Sequence, residues 1–218
     1  MTNLNKRIFT SLIVFPVSMF FIIKGGNYIV SFLYAILILA NFEAFSAFKR
    51  KTSIIFLDGI LVVSLLSILH LRNDTTSSLI LLVWVIILTI SSDIGGYIFG
   101  KIFSWKRLTN ISPNKTLSGA IGSLIFSIFS ILLLGLICKI LFQIDLSFFL
   151  KFKYFIFAVI LSLSAQLGDL MVSYFKRLDK IKDTGKILPG HGGIFDRIDS
   201  LMLSSIAANI LYYLKLFP

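Results

Sequence analysis

Four carboxylates in this chain fall where a carboxylate is costly. Glu43, Asp58, Asp93 and Asp169 each lie inside a run of apolar residues, and a charged side chain in hydrocarbon costs about 2.5–3.5 kcal/mol on insertion scales. Each also sits near a basic cluster: Glu43 and Asp58 flank Lys49-Arg50-Lys51, Asp93 precedes Lys101, and Asp169 precedes Lys176-Arg177. Four acids at one level of the apolar segments imply a polar cavity opening at that level. For Glu43 and Asp58 taken singly, the plainer reading stands equally well: acids near a helix end that neutralise neighbouring lysines. For the other two, the adjacent residues argue for chemistry. Gln166, Asp169, Ser173 and Lys176 recur at spacings that place them on one helical face. A polar stripe on an otherwise lipid-soluble helix must face protein or a cavity. Asp93 is followed by Gly95-Gly96, which admit close approach of a second backbone or a ligand.

The segment 173–200 is the most polar part of the chain and centres on Leu188-Pro189-Gly190-His191-Gly192-Gly193. Proline with three glycines makes a loop whose backbone N–H groups can turn toward an anion. Lys176, Lys180, Lys182 and Lys186 supply point charges, and Arg177 and Arg197 supply forked donors suited to phosphate. Asp196 and Asp199 would share one face at the start of the last helix. Paired carboxylates repel unless a cation sits between them, and hard divalent ions take such oxygens. A basic loop alone is commonly a solvated face, and His191 alone is commonly a hydrogen-bonded loop histidine. The conjunction with Asp169 points instead to a phosphate-and-metal site. A second piece is Ser112-Pro113-Asn114-Lys115-Thr116. There Thr116 is a fair N-cap, and a helix N-terminus beside a lysine favours anions.

What positions these residues must be a set of membrane-crossing helices. The chain has 218 residues, of which 57% are hydrophobic and only 14% charged, against about a quarter charged in soluble domains. Such a chain needs a bilayer as part of its solvent. Apolar windows fall at about 8–23, 28–48, 54–71, 79–99, 117–142, 154–175 and 201–217. The expected fold is therefore an all-α, polytopic transmembrane helical bundle of about seven spans. Residues 1–218 form one integral membrane domain, and 173–200 is its active-site loop. The first window resembles a signal peptide at its start, but Lys24-Gly25-Gly26-Asn27 follows it rather than a small-residue cleavage site. It reads as a retained span. With the N-terminus inside, the inner segments hold fifteen of the twenty-one lysines and arginines, which sets the N-terminus and the polar loop toward the cytoplasm. The net charge of +11 is spread over these short loops, which fits anionic lipid headgroups rather than nucleic acid. Cys138, the one cysteine, can make no internal disulfide.

At these residues the sequence resembles the CDP-diacylglycerol synthases, also called phosphatidate cytidylyltransferases. That family's signature is a serine, a basic pair, a Lys-Asp, a Pro-x-His-Gly-Gly turn and an Asp-Arg-x-Asp. Here these are Ser173, Lys176-Arg177, Lys182-Asp183, Pro189-Gly190-His191-Gly192-Gly193 and Asp196-Arg197-Ile198-Asp199. Gln166-Leu167-Gly168-Asp169, Ser112 to Thr116 and Asp93-Ile94-Gly95-Gly96-Tyr97 also match. The chain departs in having Leu117-Ser118 where relatives often carry a bulky residue and a glutamate, and in a shorter N-terminal region.

The resemblance implies the reaction CTP plus phosphatidate to CDP-diacylglycerol plus pyrophosphate, in phospholipid biosynthesis. It implies a divalent cation, Mg2+, with room for a second cation, held by Asp169, Asp196 and Asp199. Lys176 and Arg197 join those acids as catalytic residues. Lys115, Ser173, Arg177, Lys182, His191, Gly192, Gly193 and Asp93 are the expected substrate-binding residues. Such a protein would sit in a bacterial cytoplasmic membrane with its site facing the cytoplasm, with self-association into a homodimer left open. Two rivals use similar parts. A CTP-dependent polyprenol kinase would move the γ-phosphate instead. A cation-coupled transporter would place its acids near the midplane with access from both sides.

Overall fold

The computed structural model describes residues 3–109, 111–144, 150–190 and 192–216. These form seven helices: α1 (Asn3–Lys24), α2 (Gly26–Ala47), α3 (Lys51–Leu71), α4 (Thr76–Phe103), α5 (Leu117–Phe142), α6 (Phe152–Leu178) and α7 (Phe195–Tyr213). Among the described residues, extended pairing is confined to two isolated bridges, Arg107 with Thr116 and Leu188 with Gly192. Each apolar window becomes a helix, but five of them, α2 to α6, are long and apolar enough to cross a membrane. The start of α1 is polar, which leaves a shorter apolar stretch, Phe9–Lys24, with Pro16 inside it. Helix α7 begins well before its apolar window, because Phe195, Asp196 and Asp199 join its first turns.

Cross-contacts between the connections say which of them share an end. Arg7 on α1 donates from Nε to the Gly190 carbonyl at 2.8 Å, and the Arg50 N–H donates to Asp179 Oδ1 at 3.1 Å. The α1 N-terminus, the α2–α3 turn and the α6–α7 loop therefore lie together. At the other end, buried Arg72 donates to the carbonyls of Ile22 (2.8 Å) and Ile23 (3.0 Å). The Gly26 N–H also reaches Asp74 Oδ1 at 3.0 Å. The basic segments counted as inner in the sequence are thus gathered at one end.

Two close helix contacts matter for the site. Helices α4 and α5 meet backbone to backbone: a Cβ on Gly122 would stand 2.5 Å from the Gly95 carbonyl oxygen, and one on Gly119 would stand 2.8 Å from that of Gly96. Gly95-Gly96 thus serves helix packing, one of its two expected uses. Helices α6 and α7 meet at Gly168, where a Cβ would overlap the Asp199 carbonyl oxygen. Inside the bundle, buried hydroxyls tie the helices together. Ser92 bonds Ser162 (3.1 Å), Thr89 bonds Ser204 (3.0 Å) and Ser64 bonds Ser205 (3.0 Å).

Candidate active site

The ends of α4, α5, α6 and α7 surround a cavity of about 360 Å³. Its polar lining includes Asp93, Lys115, Gln166, Asp169, Asp196 and Asp199. Each arrives by a local rule. Asp93 comes from α4 one turn before the glycines that seat α4 on α5. Lys115 immediately precedes Thr116, whose Oγ1 accepts the Gly119 N–H at 3.1 Å, the N-cap expected from the sequence. The preceding loop is held as a narrow ladder, with the Leu108 N–H donating to the Lys115 carbonyl at 2.7 Å and the Leu117 N–H to that of Lys106 at 3.0 Å. Asp169 stands next to Gly168, so the glycine contact that brings α7 against α6 also brings Asp199 beside Asp169.

The stripe on α6 works as one unit. Gln166 and Asp169 face the cavity. The Ser173 hydroxyl donates to Asp169 Oδ1 at 3.3 Å, and Lys176 Nζ donates to Asp196 Oδ1 at 2.7 Å. Asp169 is also ion-paired with Lys115. Ser200 joins the remaining acids. Its hydroxyl donates to Asp93 Oδ1 at 3.0 Å, and its N–H donates to Asp199 Oδ1 at 2.9 Å. No sequence signal marked Ser200, one of many serines in the chain.

Asp196 is tied more tightly than a shared helical face with Asp199 would suggest. Besides Lys176, its Oδ2 accepts from the Thr184 N–H (2.9 Å), the Thr184 hydroxyl (3.2 Å) and the Gly193 N–H (3.1 Å). It lies in the first turn of α7, ahead of the apolar window. Burial there pushes its carboxyl up, but the Lys176 bond and charge and the two N–H groups outweigh this and hold it below the usual carboxylate range. The Gly193 N–H is therefore turned toward the loop's own acid. Gly190 and Gly192 take the left-handed conformation (φ 78° and 88°), and the Leu188 N–H closes the turn onto the Gly192 carbonyl at 3.0 Å.

The other expected binding residues are more dispersed. Arg177 is exposed and donates to the Ile181 carbonyl at 3.1 Å. Lys182 is exposed on the same loop. Arg197 is exposed on α7, within electrostatic reach of Asp93. His191 lies outside the described residues. Of the other two apolar-window acids, Asp58 keeps one carboxylate oxygen buried without a hydrogen-bond partner among the described residues. Glu43 is buried beneath the loop and is treated below. Among the described residues no three His, Cys, Asp or Glu side chains form a ready-made metal cage. The cavity acids nonetheless suit Mg2+, which is usually held by one or two carboxylates together with substrate phosphates.

A cavity of acids and one lysine in an apolar bundle invites comparison with known proteins. The sequence profile of the cytidylyltransferase family matches residues 49–215. The chain belongs to that family. Among similar proteins is a phosphatidate cytidylyltransferase of Staphylococcus haemolyticus, 43% identical over 137 residues, which are 60% of this chain and 46% of the relative. One of Staphylococcus aureus is 41% identical over 137 residues, again 60% of this chain and 46% of the relative. One of Helicobacter pylori is 37% identical over 139 residues, 62% of this chain and 48% of the relative. The chain spans about half the length of the curated relatives it matches. The family's matched region takes in every cavity acid, Lys115 and the whole α6–α7 loop.

Proposed function

We propose that this chain carries the catalytic centre of a phosphatidate cytidylyltransferase, joining CTP and phosphatidate into CDP-diacylglycerol and releasing pyrophosphate. The observation that carries the reading is the convergence of Asp93, Lys115, Asp169, Asp196 and Asp199 on one cavity at the end of an apolar bundle. The names of the relatives point the same way. Phosphatidate brings its own nucleophile, because a phosphate monoester is already anionic near neutral pH. One of its oxygens bonds to the α-phosphorus of CTP as the bond to the bridging oxygen of the β-phosphate breaks. What the protein must supply is alignment and cancellation of charge between two polyanions.

Asp169, Asp196 and Asp199 are the residues proposed to hold Mg2+, which when bound would neutralise phosphate charge. Lys115, which lines the cavity paired with Asp169, and Lys176, buried behind it and paired with Asp196, are proposed to turn to phosphate oxygens once substrate enters. Arg177, Lys182, Arg197, Ser173 and the His191-Gly192-Gly193 turn complete the proposed phosphate-binding set, with Asp93 at the rim. The acyl chains would stay in the bilayer, and the charge distribution supports a site on the cytoplasmic side of a bacterial membrane.

The test uses the full chain in detergent with phosphatidate, magnesium and CTP labelled at either phosphorus. Label at the α-phosphorus should enter lipid, and label at the γ-phosphorus should leave as pyrophosphate. Transfer of γ-label to lipid would identify a kinase and remove this reading.

A further inference from the structure

Glu43 is 1% exposed, on the last turns of α2, and does not line the cavity. Its carboxylate is nevertheless bonded at three points to the α6–α7 loop and the start of α7. Oε2 accepts the Ile194 N–H at 2.7 Å, and Oε1 accepts the Phe195 N–H at 3.3 Å. The Thr184 hydroxyl is bonded to Oε1 as well. The first N–H groups of a helix have no partner within it, and Ile194, at the N-cap of α7, has no polar side-chain atom to offer them. A carboxylate from another helix fills that role here, with the favourable charge for a helix N-terminus.

We propose that Glu43 is a positioning residue of the active site, fixing the start of α7 and the loop ahead of it so that Asp196 and Asp199 face the cavity. This rests on the reading of that cavity as a nucleotidyl-transfer site. The link is continuous. Thr184, bonded to Glu43, gives its N–H to Asp196 at 2.9 Å, and its hydroxyl lies 3.2 Å from the same oxygen. Asp196 in turn pairs with Lys176 on α6 at 2.7 Å. A hydroxyl has one proton, so Thr184 serves Glu43 and Asp196 by turns. Two loop glycines are shaped to this carboxylate. A Cβ on Gly185 would stand 2.9 Å from the Glu43 carboxyl carbon, and one on Gly193 would overlap both Glu43 and Thr184. The second glycine of the His-Gly-Gly turn thus makes room for Glu43. A buried carboxylate of this kind is tolerated only while its donors stay in place. Its removal strands two buried backbone N–H groups at the start of α7.

The test is made on the full chain in detergent with Glu43→Gln and Glu43→Ala, by two measurements. In hydrogen–deuterium exchange, the amides of Ile194 and Phe195 should exchange about 10–100-fold faster in Glu43→Gln, with those of α4 and α5 unchanged. Per folded molecule, kcat for CDP-diacylglycerol formation should fall about tenfold or more, and the KM for CTP should rise. A purely structural role would lower the folded fraction and leave both constants alone. Wild-type exchange at Ile194 and Phe195 would overturn the proposal. So would a loosened loop with unchanged kcat and KM. If Glu43→Ala does not fold, the near-isosteric Gln variant decides. If the wild-type chain itself makes no CDP-diacylglycerol, the reaction assigned to the cavity falls. Faster exchange would then still support the anchoring of the loop by Glu43, and unchanged exchange would overturn that too.

Discussion

Each acid around the cavity already has a partner, and those partners define what a substitution removes. Asp169 is held by Lys115 and Ser173, Asp196 by Lys176 and Thr184, and Asp93 and Asp199 share Ser200. Among the proposed phosphate-binding cations, three carboxylates make little sense as direct phosphate contacts, because anions at the edge of a low-dielectric region repel with weak screening. They make sense as holders of a cation. Changing Asp169, Asp196 or Asp199 to Asn should therefore lower the rate by about 10²–10⁴, or roughly 3–5 kcal/mol. Steady-state turnover and magnesium titration of the purified variants check this. Near-normal rates with unchanged magnesium dependence would mean that the acids merely pair with lysines. Folding should survive in Asp169→Asn, since losing an acid from an apolar span lowers the insertion cost. Asp196→Asn, which leaves buried Lys176 without its carboxylate, should also lose stability.

At the scale of elements, the site depends on how closely four helices approach. The α4–α5 contact has almost no space at Gly95, Gly96, Gly119 and Gly122, and α6 meets α7 at Gly168. Gly168→Val would push α7 off α6 at the residue that carries Asp199, so it should abolish most activity. It should also lower thermal stability by about 1–3 kcal/mol, as overpacking does. Gly122→Val should cost a similar amount of stability at the α4–α5 seam. Thermal unfolding in detergent, followed with turnover at a temperature where both variants remain folded, separates the two effects. Thr116→Val, which removes the N-cap ahead of which Lys115 is displayed, should cost about 1 kcal/mol. It should also raise the KM for CTP.

For the whole molecule, topology and chemistry make one claim. The lysine and arginine distribution and the helix connections place the cavity, the α6–α7 loop and the N-terminus at one end. A single cysteine placed at Lys182, exposed on that loop, with Cys138 replaced, should react only with reagents admitted to the cytoplasm. Labelling from outside in intact cells would invert the orientation and move the proposed site to the wrong face for CTP.

The sequence alone determined the helical bundle, most helix bounds to within a few residues, the α6 stripe and the acids Asp93, Asp169, Asp196 and Asp199. These follow from solvent preference and from the 3.6-residue period, both of which are local properties of a chain in lipid. Glu43 and Asp58, expected at the same cavity, do not line it. It also marked Thr116 as a cap and Lys115 beside it. Tertiary structure alone decided the rest, because it depends on which helices touch. Gly95 and Gly96 could have met a ligand or a helix; both pack on the face of α5, and Gly96 also lines the cavity. Asp196 and Asp199, three residues apart, find separate partners because the Thr184 and Lys176 side reaches only the first of them. Glu43 was one more acid near a basic cluster until α2 came against the start of α7. A lone glutamate carries no record of the distant N–H groups it will satisfy, since they are brought to it only by packing.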